Sequence, residues 1–330
     1  MKDRISRSSR RQFICLAGAA LATPALPYLA RAQAWPSRPI RAIIPFTAGS
    51  TVDIVGRLVL EPLSQQLGQP IVVENRGGAG GTIGSGMVAK ADPDGYTILI
   101  NASAHSAAPA AFPNVPYDTA NDFAGVISFG SVPNVMVISP QKGIKTVQEL
   151  AAAARKSGEM TYASAGVGSA THWAAERFRL SAGFKATHVP FRGGPEALGE
   201  VMTGRVDFMC IGVSSGISLV NEGKLLALAV STPKRSAAMP NVPTTIESGF
   251  PDSDYTFWNG MLVPAKTPKA IIDRLHEECK KALALPAVQA RFKPQGIDPM
   301  PLTPAEFDAL IRKEIDANIK LVKAAGLKFN

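Results

Sequence analysis

The sequence predicts an α/β fold on a mainly parallel sheet, and three observations predict it. Short apolar strands alternate with small-residue loops and amphipathic helices, the order that strand–helix–strand units impose. At 330 residues the chain can bury a large core and fits one large or two medium globular units. Beyond the first thirty-odd residues, no apolar run approaches the roughly eighteen residues that a membrane span needs, so the mature protein is expected to be soluble.

Taken in order, the first unit is the strand Ile40 to Ile44, the loop Thr47-Ala48-Gly49-Ser50-Thr51 and a helix from about Asp53. On that helix Ile54, Val55, Leu58, Val59, Leu63 and Leu67 form one apolar stripe that Gly68 ends. A strand from Ile71 to Glu74 leads into a glycine-rich run, Gly77 to Gly86. Another, Tyr96 to Ile100, opens onto Asn101-Ala102-Ser103-Ala104-His105-Ser106. Thr146 and Glu149 have capping-box spacing at the head of an Ala-rich helix that stops at Gly158. Met160 to Ser164 reads as a strand, Ala165 to Ser169 as a loop, Thr171 to Leu180 as a helix, and Val206 to Ile211 as a further strand. Thr267-Pro268 and Thr303-Pro304-Ala305-Glu306 each place a capping threonine before proline, predicting two C-terminal helices.

The N-terminus is built differently. Lys2, Arg4, Arg7, Arg10 and Arg11 precede an apolar stretch from Phe13 to Ala30 that Pro24 and Pro27 interrupt, which is the pattern of a secretory signal. Ser9-Arg10-Arg11-Gln12-Phe13-Ile14 resembles a twin-arginine signal. Small-residue cleavage patterns place the mature start at Gln33 or Trp35, so residues 1–34 are expected to be removed and the protein to be periplasmic. Without residues 1–32 the chain keeps 29 Lys/Arg against 25 Asp/Glu, and its formal charge falls from +9 to +4. No basic stripe interleaved with aromatics remains, so nucleic acid is not an expected partner. Of the cysteines, Cys210 lies in an apolar strand-like run and Cys279 on a helix, and two unlinked thiols are expected.

The loops carry the chemistry. A helix N-terminus presents unpaired N–H groups and roughly half a positive charge, so it binds an anion without a lysine. Glycine lets a ligand approach the backbone, and hydroxyls donate to carboxylate oxygens. Three such openings stand at Gly49-Ser50-Thr51, Gly168-Ser169-Ala170-Thr171 and Gly212-Val213-Ser214-Ser215. Together they predict capture of a small organic carboxylate, though helix capping alone accounts for such residues equally well at any one loop. Trp173, Phe191, Tyr255 and Trp258 are candidates for stacking on an aromatic ring, against the commoner fate of packing in a core.

Other chemistries fit less well. Gly84-Ser85-Gly86-Met87-Val88-Ala89 matches a dinucleotide pattern, but it begins about ten residues past its strand and no acid follows the next strand to hold a ribose. The four histidines, at 105, 172, 188 and 276, have no metal-ligand spacing, so neither metal nor cofactor is expected. Gly212-Val213-Ser214-Ser215-Gly216 matches a serine-hydrolase elbow, with Asp254 and His276 downstream. An exported hydrolase using Ser214, His276 and Asp254 is therefore the enzyme alternative, and a ligand sensor for a membrane receptor is a third.

From Trp35 to about residue 326 the sequence resembles the Bug-type periplasmic substrate-binding proteins of tripartite tricarboxylate transporters. The motifs are Trp35-Pro36-Ser37-Arg38-Pro39-Ile40, Pro45-Phe46 with Gly49 and Asp53, and Gly68-Gln69-Pro70-Ile71-Val72-Val73-Glu74-Asn75-Arg76 with Gly78-Ala79-Gly80-Gly81. They continue with Asp92-Pro93-Asp94-Gly95-Tyr96-Thr97, Gly166-Val167-Gly168-Ser169 with His172, Pro190-Phe191-Arg192-Gly193, and Pro240-Asn241-Val242-Pro243-Thr244 with Glu247 and Gly249.

The resemblance implies a non-catalytic, two-domain clamp of the periplasmic-binding type (type II) with two crossover connections. Domain 1 would span 35–134 plus 256–330, and domain 2 would span 135–255. Ligand would lie between them. Domain 1 would contribute Phe46, Thr47, Ala48, Gly49, Ser50, Thr51 and Asp53, with Ser103 and His105. Domain 2 would contribute Ala165, Gly166, Gly168, Ser169 and His172, then Phe191, Arg192 and Gly193, then Gly212 and Ser214. The implied partners are a small di-, tri- or aromatic carboxylate and two membrane subunits of such a transporter, with the binding protein itself a monomer. Two positions depart from the family pattern: Ser50 stands where a second glycine is usual, and Ile211-Gly212 where an acid often ends the strand.

Overall fold

Ile40, Ala42, Ile43 and Ile44 are all fully buried, which makes β1 (Ile40–Ile44) a strand covered on both faces, as parallel strands are. The computed structural model describes residues 35–112 and 114–325; the export signal expected over residues 1–34 lies outside them. After β1 the chain forms α1 (Thr51–Leu67), β2 (Ile71–Asn75), α2 (Thr82–Ala89), β3 (Thr97–Ala102), α3 (Ala104–Ala111) and the long β4 (Phe123–Ile138). It continues through α4 (Val147–Ser157), β5 (Thr161–Ser164), α5 (Ala170–Ala182), β6 (Thr187–Pro190), α6 (Gly194–Met202), β7 (Phe208–Gly212), α7 (Val213–Asn221) and β8 (Leu226–Val230). The last elements are β9 (Thr256–Pro264), α8 (Lys269–Ala284), α9 (Pro286–Phe292), β10 (Asp298–Pro299) and α10 (Pro304–Ala325). The unit that carries all of them begins at Arg38.

The strands follow the order β2-β1-β3-β9-β4-β7-β5-β6, with β8 and β10 also pairing β4. The pairs β1–β2, β1–β3, β5–β6 and β5–β7 are parallel, as the strand–helix–strand units require. Strand β4 is antiparallel to all its partners and joins two lobes. Its residues Phe123 to Pro133 pair β9, whereas Asn134 to Ile138 pair β7 and β8. The chain returns through Tyr255 into β9, and the two crossings are tied together. Asn134 Nδ2 donates to the Tyr255 carbonyl at 3.2 Å, and Ser231 Oγ reaches the carbonyls of Asn134 at 3.3 Å and Tyr255 at 3.1 Å. The result is an α/β, two-domain clamp of the periplasmic-binding type with two crossover connections.

Each lobe has its own apolar interior. In the lobe built on β1, Ile43, Val88, Leu99, Trp258, Leu262 and Phe307 pack together beneath α2 and α10. In the other lobe, Val147, Leu150, Phe178 and Phe208 pack under α4 and α5 on one sheet face, while Leu198, Val201, Met209 and Ile211 pack under α6 on the opposite face. No helix among the described residues is long and apolar enough to cross a membrane. Cys210 and Cys279 are free and buried, and burial pushes the Cys210 thiol up to about 12 and the Cys279 thiol upward as well.

Several boundaries differ from those read in the sequence. Helix α1 starts at Thr51, two residues before Asp53, because Ser50 caps it by accepting the Asp53 amide. Helix α5 starts at Ala170 and runs to Ala182, ending on the left-handed Gly183. Strand β7 begins at Phe208 instead of Val206, since the Val206 amide still closes the turn after α6 on Glu200 and Asp207 turns its carboxylate to Lys142 and Thr161. Thr303 caps α10 together with Glu306, as its spacing predicts. Thr267 does not cap α8: its hydroxyl donates back to the Pro264 carbonyl at 2.7 Å, leaving Pro268 at the cap position.

Candidate functional site

The loop between β1 and α1 is cinched by one carboxylate. Asp53 is buried and accepts from the Gly49 amide at 2.9 Å, from Arg57 Nε at 2.9 Å and from Asn75 Nδ2 at 3.0 Å. The same Asn75 amide holds the Phe46 carbonyl at 2.9 Å. Asp53 thus shapes the loop, and its oxygens are committed within it. Gly49 has φ of +77°, a left-handed conformation that glycine adopts without the strain a side chain would add.

Across from it, the loop between β5 and α5 is held by hydroxyls. Thr171 Oγ1 accepts from the Ala165 amide at 2.9 Å and lies 2.9 Å from Ser169 Oγ, which caps α5 by accepting from the His172 amide. His172 Nδ1 in turn accepts from the Gly168 amide at 3.1 Å. Its ring stacks on that of His188 at 3.8 Å, and His188 Nε2 meets Ser164 Oγ at 2.6 Å. Burial first, and the neighbouring His188 second, push His172 down to about 2; burial pushes His188 down to about 4. Both imidazoles are therefore neutral props beneath the loop.

The two loops face each other across a small, partly open space of about 30 Å³ shared by both lobes. The first-turn residues of four helices line it: Thr51 and Val52 of α1, Ala104 of α3, Ala170 and Thr171 of α5, and Gly194 of α6. Phe46, Ser50 and Ala102 complete one wall with Phe257 of β9, and Ala165, Ser169 and Ile211 complete the other. Each helix start carries about half a positive charge, while the exposed lining of the space is almost all apolar and none of its described lining residues is charged.

Glycines let the lobes meet around this space. A Cβ on Gly212 would lie 2.3 Å from Thr51 Oγ1, one on Gly193 would come within 2.9 Å of Thr47 Cβ, and one on Gly80 would strike the Val167 carbonyl. Thr51 Oγ1 also lies 2.9 Å from Ser215 Oγ on α7. The clamp is closed.

Of the residues expected to bind ligand, Phe46, Ser50, Thr51, Ala165 and Ser169 line this space. Gly166, Phe191 and Arg192 line a wider opening beside it, with Gly78, Gly80 and Glu196 on its other sides. Thr47, Gly193 and Gly212 sit on the seam between the lobes, and Ala48 and Gly49 are exposed on its rim. Asp53, Gly168 and His172 act behind the loops, through the bonds described above. Ser103 is turned into the sheet, where its hydroxyl accepts from the Trp258 amide at 3.1 Å. His105 is packed away from the space altogether, edge-on to Phe123 at 4.7 Å and parallel to Tyr117 at 6.5 Å. Ser214 is buried and its hydroxyl has no hydrogen-bond partner among the described residues. His276 bonds the Val126 carbonyl at 3.0 Å and Asp254 gives its carbonyl to Arg177, so no hydrogen bond joins Ser214, His276 and Asp254. Trp173 and Trp258 are buried in the lobes.

Val52, Ala104, Gly194, Ile211 and Phe257 were absent from the expected set. Apolar side chains and glycine carry no chemical signature, and Phe257 arrives on the returning strand, more than two hundred positions after Phe46. The one local signal was position: Ala104 and Gly194 each open a helix just after a strand or its loop.

Residues 55–327 match the family model described as "Tripartite tricarboxylate transporter family receptor". The chain is similar to the "UPF0065 protein in tcbD-tcbE intergenic region" of Pseudomonas sp. (strain P51), at 36% identity over 96% of this chain and 95% of that one. Among solved structures it is similar to the periplasmic binding protein BugD, with a TM-score of 0.86 and 32% identity, covering 89% of this chain and 99% of that one. It is also similar to MatC from Rhodopseudomonas palustris, solved with bound malate, with a TM-score of 0.84 and 30% identity over 87% of this chain and all of that one. A match across most of the chain, joined to a clamp with a space between its lobes, makes the protein a solute-binding receptor: the chain belongs to the tripartite tricarboxylate transporter receptor family.

Proposed function

We propose that this protein, exported to the periplasm and freed of residues 1–34, captures one small organic carboxylate between its lobes and delivers it to the two membrane subunits of a tripartite tricarboxylate-type transporter. The observation that carries this reading is the convergence of the first turns of α1, α3, α5 and α6 on one space with no charged side chain in its described lining. Such a site holds an anion through amides already oriented by their helices. MatC, similar to this chain in fold, was solved with bound malate, which supports a carboxylate here.

In this reading domain 1 comprises 35–134 plus 256–330 and domain 2 comprises 135–255, with the crossings at Asn134 and Tyr255 as the hinge. Ligand bridges the α1 and α5 loops and holds the clamp closed, and the closed face is what the membrane subunits recognise. The test is calorimetric titration of ligand-stripped mature protein with a panel of carboxylates and neutral amides. One carboxylate per chain at roughly micromolar affinity or tighter is the expected result. Heat from neutral solutes alone would remove the carboxylate reading.

A further inference from the structure

We propose that the glycine-rich run Gly77 to Gly81 is the latch of the clamp, the stretch of the lobe built on β1 that docks on the main chain of the α5 loop at closure and must lift before a captured acid can leave. This rests on the carboxylate-capture reading and deepens it. As a dinucleotide motif the run fails on spacing, yet its conformation is specific. Gly78, Ala79, Gly80 and Gly81 all have positive φ, at 129°, 45°, 60° and 98°. That path brings the main chain of one lobe against the main chain of the other. A Cβ on Gly80 would strike the Val167 carbonyl oxygen, one on Gly166 would lie 3.5 Å from the Gly80 nitrogen, and one on Gly77 would lie 3.4 Å from the Arg192 carbonyl oxygen. A side chain at Gly80 and a closed seam therefore exclude each other.

The run is also tied to the ligand loop of its own lobe. Just before it, Asn75 Nδ2 holds the Phe46 carbonyl at 2.9 Å and Asp53 at 3.0 Å, and the Arg76 amide donates to the Ile44 carbonyl at 2.8 Å. Just after it, Thr82 Oγ1 donates to the Ala79 carbonyl at 2.9 Å, and a Cβ on Gly81 would lie 3.2 Å from the Phe46 ring. Phe46 lines the small space between the lobes, so the run and the ligand loop move as one body. Gly78, Ala79 and Gly80 face Gly166, Val167 and Arg192 around the wider opening, of about 420 Å³, which shares Ala165 with the small space of about 30 Å³. The small space admits roughly a water molecule or two. An acid held at the α1 and α5 loops therefore extends into the wider opening, and the seam along that opening governs its exit.

The experiment compares Gly80→Ala with Gly68→Ala. Gly68 has nearly the same backbone, φ of 68° and ψ of 16° against 60° and 19°, and nothing lies within 4 Å of its Cβ position, so it carries the cost of a left-handed alanine without the seam. Unmodified protein and both variants, mature and ligand-stripped, are titrated calorimetrically with malate, citrate, adipate and benzoate and followed by small-angle scattering at saturation. For an acid that binds the unmodified protein, Gly80→Ala should bind tenfold or more weakly than Gly68→Ala and fail to compact, at an equal ligand-free melting temperature. Equal affinities, or full compaction of Gly80→Ala, overturn the latch and leave carboxylate capture standing. Should Gly80→Ala not fold, Thr82→Val frees the Ala79 carbonyl without adding bulk at the seam; affinity should fall several-fold, and unchanged affinity overturns the latch. Binding of none of the four acids overturns both the latch and the reading it rests on.

Discussion

The Thr51 hydroxyl at the start of α1 lies 2.9 Å from the Ser215 hydroxyl in the first turn of α7, joining residues 164 positions apart on opposite lobes. Ser215 also approaches the Gly49 carbonyl at 3.4 Å. In the proposed clamp motion this pair forms on closure, so its free energy counts toward the bound state and not toward the fold of either lobe. Ser215→Ala should weaken ligand affinity about fivefold, the equivalent of one net hydrogen bond of ~1 kcal/mol, and leave the melting temperature of ligand-free protein unchanged. Titration calorimetry and thermal denaturation measure the two effects separately; an equal loss in both would assign Ser215 to folding.

Gly212 offers a sharper test of closure. Its φ of −55° and ψ of 133° suit any residue, yet a Cβ there would sit 2.3 Å from Thr51 Oγ1 and 2.8 Å from its Cγ2. Gly212→Ala should therefore fold normally and fail to close, with affinity reduced tenfold or more. Small-angle scattering should show no compaction on adding ligand. Normal compaction would mean that Thr51 moves aside at little cost.

Ser169 serves both the helix and the site. It caps α5 through the His172 amide and touches Thr171 Oγ1, which fastens the Ala165 amide. Ser169→Ala should cost about 1 kcal/mol of stability from the lost cap. Affinity should fall several-fold as well, because the α5 loop loses its order. Denaturant unfolding and calorimetry on the same preparation check both, and intact affinity would remove the Ser169 loop from the ligand contact.

His105 should make the protein acid-sensitive. It is buried between Tyr117 and Phe123, and burial pushes it down to about 4, with only the Thr119 backbone opposing. The unfolded chain takes up this proton from about pH 6.5 downward, whereas the folded chain resists until about 4. Stability is therefore complete above about 6.5 and drains as pH falls, by about 3 kcal/mol at pH 4 from this residue alone. His188 and His172, also pushed down by burial, add to the same limb. His105→Leu should flatten the fall in melting temperature between pH 6.5 and 4. An unchanged slope would place the acid loss elsewhere.

What lay in the sequence alone was everything that rests on neighbours within a turn or a strand. The buried run Ile40 to Ile44, the Thr146 cap with Gly158 at the other end of α4, and the Thr303–Glu306 pair were legible because periodicity and capping are short-range. The loops at Ser50 and Ser169 were legible for the same reason. Even local signals gave way where a tertiary partner competed: the carbonyl of Pro264 took the Thr267 hydroxyl, and Tyr117 and Phe123 enclosed His105. Only the tertiary structure decided which residues share one space. That depends on β4 pairing β9 with its first part and β7 with its second, which brings Phe46, Phe257 and Ile211 together from three distant segments. Apolar side chains announce no chemistry of their own. Their meaning as the walls of a site comes from burial and proximity, and both are properties of the folded chain.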